Sequence, residues 1–250
     1  MTAVTDSLTI ARRDLIRTAR LPEQLAFSVI MGIFFLLLFY YVFGGVIAAG
    51  SGVDYIQFLL PGVLVITVVN GAQQPGPGRA LDLSTGVVDR FRSLPMSQLA
   101  VIAGRTVADT LRNALGVLLV VAVGYVMGFR ADSIAGAVGM MAVVIGLGYA
   151  FSWVGAWIGA SLRNAETVGL LSMFWLFPLM LASSAFVPTA GMNEFVRLFA
   201  EVQPISIVSE TARAFAAGEP TQGPLLASIA WIVGLTVVYG WLAGRAYRRP

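Results

Sequence analysis

The chain contains no cysteine and no histidine. The first absence removes disulfides and thiol chemistry. The second removes the commonest metal ligand and the usual proton shuttle near neutral pH. A zinc site would have to be built from carboxylates alone, and Asp and Glu number only 13 in 250 residues. Lysine is missing too, so all 16 basic residues are arginine. There is no glycine-rich loop ending in Lys-Ser/Thr, which excludes nucleotide binding by a P-loop. No Gly-x-Ser-x-Gly elbow is present to expose a nucleophilic serine. Charged residues make up 12% of the chain, against about 25% for a soluble domain. Such a chain cannot wet a surface in water.

What is present is apolar sequence in blocks. Hydrophobic residues make up 58% of the chain, and several blocks approach the roughly 20 residues a spanning helix needs. Six spans are predicted, at about 25–47, 55–76, 106–129, 133–160, 168–187 and 225–246. Pro61-Gly62 interrupts the second and Pro178 lies inside the fifth. Each span closes its own backbone hydrogen bonds, since hydrocarbon offers none. A soluble helical protein is excluded because no amphipathic shell exists to cover a core. A membrane barrel is excluded because the runs are continuous and do not alternate. The fold class is therefore all-α, a polytopic membrane protein forming one transmembrane domain over 1–250.

Arginine placement gives a direction. With a cytoplasmic N-terminus, thirteen arginines fall inside and three, Arg130, Arg197 and Arg213, fall outside. The excess of basic residues on the cytoplasmic side therefore puts both termini in the cytoplasm. The net charge of +3 is no nucleic-acid signal, because the basic residues sit at the ends of apolar runs. Residues 7–21 form a predicted basic helix in which Leu8, Leu15 and Ala19 share a face. Such a helix suits the anionic inner interface and its lipids. The long outer loop at 188–224 carries two short predicted helices, near 193–199 and 205–215, that are interfacial or re-entrant.

Carboxylates are nearly absent from span centres; Asp109 and Glu166 lie near inner ends. Intramembrane carboxylates are the normal relays of ion-driven pumps, so a self-contained ion-coupled carrier is disfavoured. No repeated filter-like stretch argues for a channel. Energy for uphill movement would then enter from another subunit. Asn70, Gln73 and the aromatic residues Phe34, Phe35, Trp175 and Phe177 are candidates to line an amphipathic path. Gly116, Gly124, Gly146, Gly148, Gly155 and Gly159 are placed for close helix packing.

The cytoplasmic segment 79–105 is the unusual one. Val87, Val88, Phe91 and Leu94 recur at helical spacing, with Asp89, Arg90 and Arg92 around them. Pro95 ends this short helix, because the residue before proline is pushed out of the helical region. The segment is either a quiet interfacial connector or a face that a soluble partner grips.

The run Gly86-Val-Val-Asp-Arg-Phe-Arg-Ser-Leu-Pro-Met-Ser, followed by Gly104-Arg105-Thr-Val-Ala-Asp109, resembles the membrane subunits of ABC-2 type exporters. Within them it is most similar to the actinobacterial daunorubicin/doxorubicin-resistance permeases. The resemblance extends over nearly the whole chain, although Gln98 stands where a basic residue is common and the stretch 73–78 is unusually rich in proline and glycine. It implies an ABC-2, type V exporter-like permease fold in the bacterial cell membrane. It also implies a separate ATP-binding subunit in two copies, which holds ATP and Mg. A second permease, identical or homologous, would complete the exporter, and this chain would be neither an enzyme nor a cofactor binder. In the family the loop between spans two and three carries the coupling helix, here about 83–94. Val87, Asp89, Arg90, Phe91, Arg92, Leu94 and Pro95 would meet the ATPase, and Arg105 with Asp109 would anchor the inner surface. The implied cargo is an amphipathic or hydrophobic antibiotic, or a lipid-like metabolite. A cell-wall polysaccharide or glycolipid precursor is the alternative cargo, and a non-transporting membrane anchor is the alternative class.

Overall fold

The computed structural model describes residues 23–51, 54–76, 98–162, 164–189 and 192–248. The predicted basic helix at 7–21 and the coupling residues Val87, Asp89, Arg90, Phe91, Arg92, Leu94 and Pro95 lie outside the described residues. Among the described residues every regular element is a helix: α1 (Glu23–Ser51), α2 (Tyr55–Gln73), α3 (Gln98–Val126), α4 (Ile134–Ser161), α5 (Ala165–Leu181), α6 (Glu194–Val202), α7 (Pro204–Ala217) and α8 (Gln222–Arg248). Among the described residues four stretches are long and apolar enough to cross a membrane: Tyr55–Gln73, Thr106–Val126, Ile134–Ser161 and Gln222–Ala246. Two shorter apolar stretches, Val29–Gly45 and Ala165–Leu181, join them.

The axis of the bundle is α2. Sixteen of its nineteen residues are buried, as expected of a helix that is apolar on every face. Around it stand α1, α3, α4 and α7. Asp54 caps its start by accepting from the Ile56 amide at 3.4 Å. The sequence reading took Pro61-Gly62 as an interruption, but the helix runs through both. Gly62 is needed there for space, since a Cβ would collide with the carbonyl of Ala185. Lower down, α4 crosses α2 closely at glycines: Gly148 faces Val68, and Gly155 faces the Ala72 carbonyl. Small residues let backbones approach where the membrane supplies no hydrophobic drive.

Two other boundaries differ from the sequence reading. Helix α3 starts at Gln98, eight residues before the predicted span, because a helix need not stop where hydropathy falls. Helix α5 stops at Leu181, six residues early. There the Ser183 hydroxyl donates to the Met180 carbonyl at 2.6 Å and accepts from the Ala185 amide at 3.3 Å, which turns the chain.

That turn feeds the capped end of the bundle. Helix α6 is exposed along an apolar stripe of Phe195, Leu198, Phe199 and Val202. Helix α7 is buried, with Ile205, Val208, Ser209 and Ala212 inaccessible, and it packs on α2, α4 and α8. Of the two short predicted helices, the second is thus sunk into the bundle. The opposite, far end is where α2 runs out at Gln73 and α3 begins.

Candidate functional site

A cavity of about 390 Å³ lies between α1, α2 and α5, reaching from mid-bundle to the far end. Helix α1 supplies Met31, Gly32 and Phe35. Helix α2 and the residue after it supply Val63, Ile66, Thr67, Asn70, Gln73 and Gln74. Helix α5 supplies Gly169, Ser172, Met173, Leu176, Phe177 and Met180. Among the described residues no charged side chain lines it. The volume is in the range of small-molecule sites, which are mostly apolar with a few placed polar groups.

Four of the six path residues chosen from sequence, Phe35, Asn70, Gln73 and Phe177, meet in this cavity. The other two do not line it. Phe34 is half exposed on the outside of α1, edge-on to Phe35 at 5.9 Å. Trp175 turns toward α4 and stacks on Phe151 at 5.9 Å. Sequence reasoning missed Ser172, Met173 and Met180, which follow Gly169 at helical spacing down one face of α5.

The polar lining is unevenly satisfied. Thr67 donates its hydroxyl to the Val63 carbonyl at 2.8 Å. Asn70 donates to the Ile66 carbonyl at 3.0 Å and to the Met180 sulfur at 3.4 Å. Gln73 donates its amide to the Phe151 carbonyl at 3.4 Å, but its buried Oε1 has no partner. The buried Ser172 hydroxyl has none either.

Next to the cavity, α3 grips the end of α2. Arg112 pairs with Asp109 at 3.4 Å and donates to the Gly71 carbonyl at 3.2 Å. Asn113 reaches the Val68 carbonyl at 3.5 Å. Asp109, expected at the inner surface, is buried beside its arginine. A charge inside a bundle is tolerated when it is paired and hydrogen-bonded. Arg105 lies on α3 one turn earlier; its side chain is outside the described residues.

The capped end is closed by one arginine that the sequence reading left among loop charges. Arg213 donates to the Phe58 carbonyl at 2.8 Å, the Ser184 carbonyl at 2.7 Å and the Ala185 carbonyl at 3.1 Å. It pairs with Glu210 at 2.8 Å, and its guanidinium lies 3.7 Å from the centre of the Phe58 ring. It thereby ties α7 to α2 and to the turn after α5. The same turn is held by Tyr55, whose hydroxyl donates to the Phe186 carbonyl at 2.9 Å. Phe186 stacks on Phe39 at 4.2 Å and packs against Phe35, which lines the cavity. A second recess of about 370 Å³ at this end holds Glu201 and Glu210, and both carboxylates are already paired, with Arg197 and Arg213.

Apolar membrane-length helices packed around a buried one define a multi-pass helical membrane protein. The model of the ABC-2 type transporter family matches residues 5–215, and the chain belongs to that family. It is similar to the daunorubicin resistance ABC transporter permease protein DrrB1 of Streptomyces coeruleorubidus, at 36% identity over 99% of this chain and 87% of the relative. The probable doxorubicin resistance ABC transporter permease protein DrrC of Mycobacterium tuberculosis is 22% identical over 98% of this chain and 89% of its own length. The doxorubicin resistance ABC transporter permease protein DrrB of the same species is 27% identical over 78% of this chain and 70% of its own. The protein is thus a multi-pass component of the bacterial cell membrane.

Proposed function

We propose that this chain is the membrane-spanning permease subunit of an ATP-driven exporter that moves an amphipathic or hydrophobic molecule, a drug or lipid-like metabolite, out of the cell. The carrying observation is the uncharged cavity where Phe35, Asn70, Gln73 and Phe177 meet, in a chain 36% identical over 99% of its length to a daunorubicin resistance permease. In this reading the chain crosses the membrane six times with both termini in the cytoplasm. A separate ATP-binding subunit, in two copies, binds ATP and Mg, and a second permease completes the path. The permease supplies no catalytic residue, no cofactor ligand and no metal ligand.

Force enters through the segment between α2 and α3. Val87, Phe91 and Leu94 give the coupling helix its apolar face, Asp89, Arg90 and Arg92 its polar contacts, and Pro95 its end. Arg105 and Asp109 lie in the first half of α3, the helix such a push would reach first. The paired Asp109 and Arg112 then carry the displacement to the Gly71 carbonyl of α2. Rigid-body shifts of packed helices follow from such a push, because packed cores are bistable and do not deform continuously.

The test is to purify the chain with its partner ATPase and substitute Phe91→Ala and Arg92→Ala together. Insertion and ATP hydrolysis are expected to survive while export in proteoliposomes falls at least tenfold. Undiminished export would remove the coupling assignment.

A further inference from the structure

We propose that α5 is a hinged flap over the cavity. Gln203 fixes its capped end, Pro178 is the pivot, and residues 165–177 swing toward α1 when the partner ATPase binds nucleotide. This rests on the export reading above and names the element that moves.

Helix α5 is thinly packed. Of its 17 residues, Val168, Ser172, Leu176 and Met180 are buried, one narrow stripe at a spacing of four. In α2, by contrast, sixteen of nineteen are buried. Ser172, Leu176 and Met180 also form part of the cavity wall, so on that side α5 borders about 390 Å³ of space. Asn70 spans the gap, donating to the Met180 sulfur at 3.4 Å, and a thioether is a weak acceptor. On its other side α5 rests on α4, where Trp175 stacks on Phe151 and Val168 clusters with Val154 and Ile158. An element with few buried apolar contacts opens at the low end of the stability range. The void beside it gives it somewhere to go.

The helix is held unequally along its length. The last carbonyls of a helix have no partner within it. Gln203 meets two of them, donating to Leu179 at 3.0 Å and to Ala182 at 2.6 Å. The turn beyond is pinned by Arg213 at the Ser184 and Ala185 carbonyls and by the Ser206 hydroxyl at the Ser184 amide. Just before these anchors stands Pro178. It has no N–H, so the hydrogen bond that another residue would give to the Phe174 carbonyl is missing. Proline is also where helices bend. Helix α5 is thus fastened after residue 178, weakened at it and thinly packed before it. A swing about Pro178 carries Met173 across the void toward Met31 and Phe35 on the α1 wall, and the cavity closes.

The chain has no cysteine, so an introduced pair supplies its only thiols. Met31→Cys and Met173→Cys, both exposed on the cavity wall, are made together. The full chain is reconstituted with its partner ATPase in proteoliposomes. Copper phenanthroline joins the two cysteines when their Cα atoms come within about 7 Å. Mobility on a denaturing gel separates bridging within one chain from bridging between two copies. ATP with vanadate is expected to raise the rate of bridging within the chain at least about threefold. Pro178→Ala keeps the helix and restores the missing hydrogen bond, so it should abolish most of that rise. Gln203→Leu should raise the rate without nucleotide to the stimulated one, because α5 is then no longer held open. A cap that only stabilised the fold would leave the nucleotide dependence intact. An equal rate with and without nucleotide, in a chain that exports before oxidation, would overturn the flap and leave the export reading standing. Stimulation unchanged by Pro178→Ala would remove the pivot. A wild-type chain that exports nothing while its partner hydrolyses ATP would remove the export reading itself.

Discussion

The two ends of this bundle handle buried polar groups in opposite ways. At the capped end all but one of those described are matched. Arg213 meets three carbonyls and a carboxylate, Tyr55 meets Phe186, and the Ser184 amide donates to the Ser206 hydroxyl at 3.0 Å. Gln203 donates twice, to the Leu179 and Ala182 carbonyls, and leaves only its oxygen unmatched. Toward the far end, Gln73 and Ser172 stand unmatched beside a cavity of about 390 Å³. Buried polar networks specify a unique arrangement when fully satisfied. Unmatched buried groups do the opposite: they lower stability. The capped end reads as frame and the far end as site.

Breaking the frame should have the largest effect. Arg213→Met keeps an apolar stem over Phe58 and removes every donor. The carbonyls of Phe58, Ser184 and Ala185 would lose their partner, at a cost of about 3–4 kcal/mol. In a detergent-solubilised unfolding scan this is a fall on the order of 10 °C. A fall of less than about 2 °C would show that the guanidinium is not what holds α7 against α2. Next comes Tyr55→Phe, which deletes one hydroxyl and leaves the Phe186 carbonyl unmatched. About 1 kcal/mol is expected, read in the same scan. A loss equal to that of Arg213→Met would mean that the Phe186 turn, and not α7, carries the cap.

Much of this was legible in the chain. Blocks of apolar residues announced the apolar helices, four of them among the described residues long enough to cross a membrane, and four residues picked for an amphipathic path line one cavity. That the other two do not line it has a simple geometry. Trp175 and Phe177 are two residues apart on one helix, so they face nearly opposite directions and cannot line one cavity. Phe34 and Phe35 are neighbours, about 100° apart, and the structure uses the second. Arg213 was hidden for another reason. Hydropathy counts a charge as an exit from the membrane, whereas α7 returns into the bundle with Arg213 among Val208, Ser209, Ala212 and Ala216. Small and apolar residues at helical spacing around one arginine are the trace of a buried cation. What it would hold was not readable, since its acceptors are backbone carbonyls 28 to 155 residues away.

The smallest effect is the most discriminating, because its sign is reversed. At the capped end, removing a polar group strands its partner. Ser172 has no partner to strand, so Ser172→Ala removes an unmatched hydroxyl at the expense of a few van der Waals contacts. The folded state should therefore gain up to about 1 kcal/mol, a rise of about 2–4 °C in the unfolding scan. A fall in unfolding temperature on Ser172→Ala would mean that the hydroxyl already supports the fold. The far end would then be a second frame, and the contrast between the two ends would collapse.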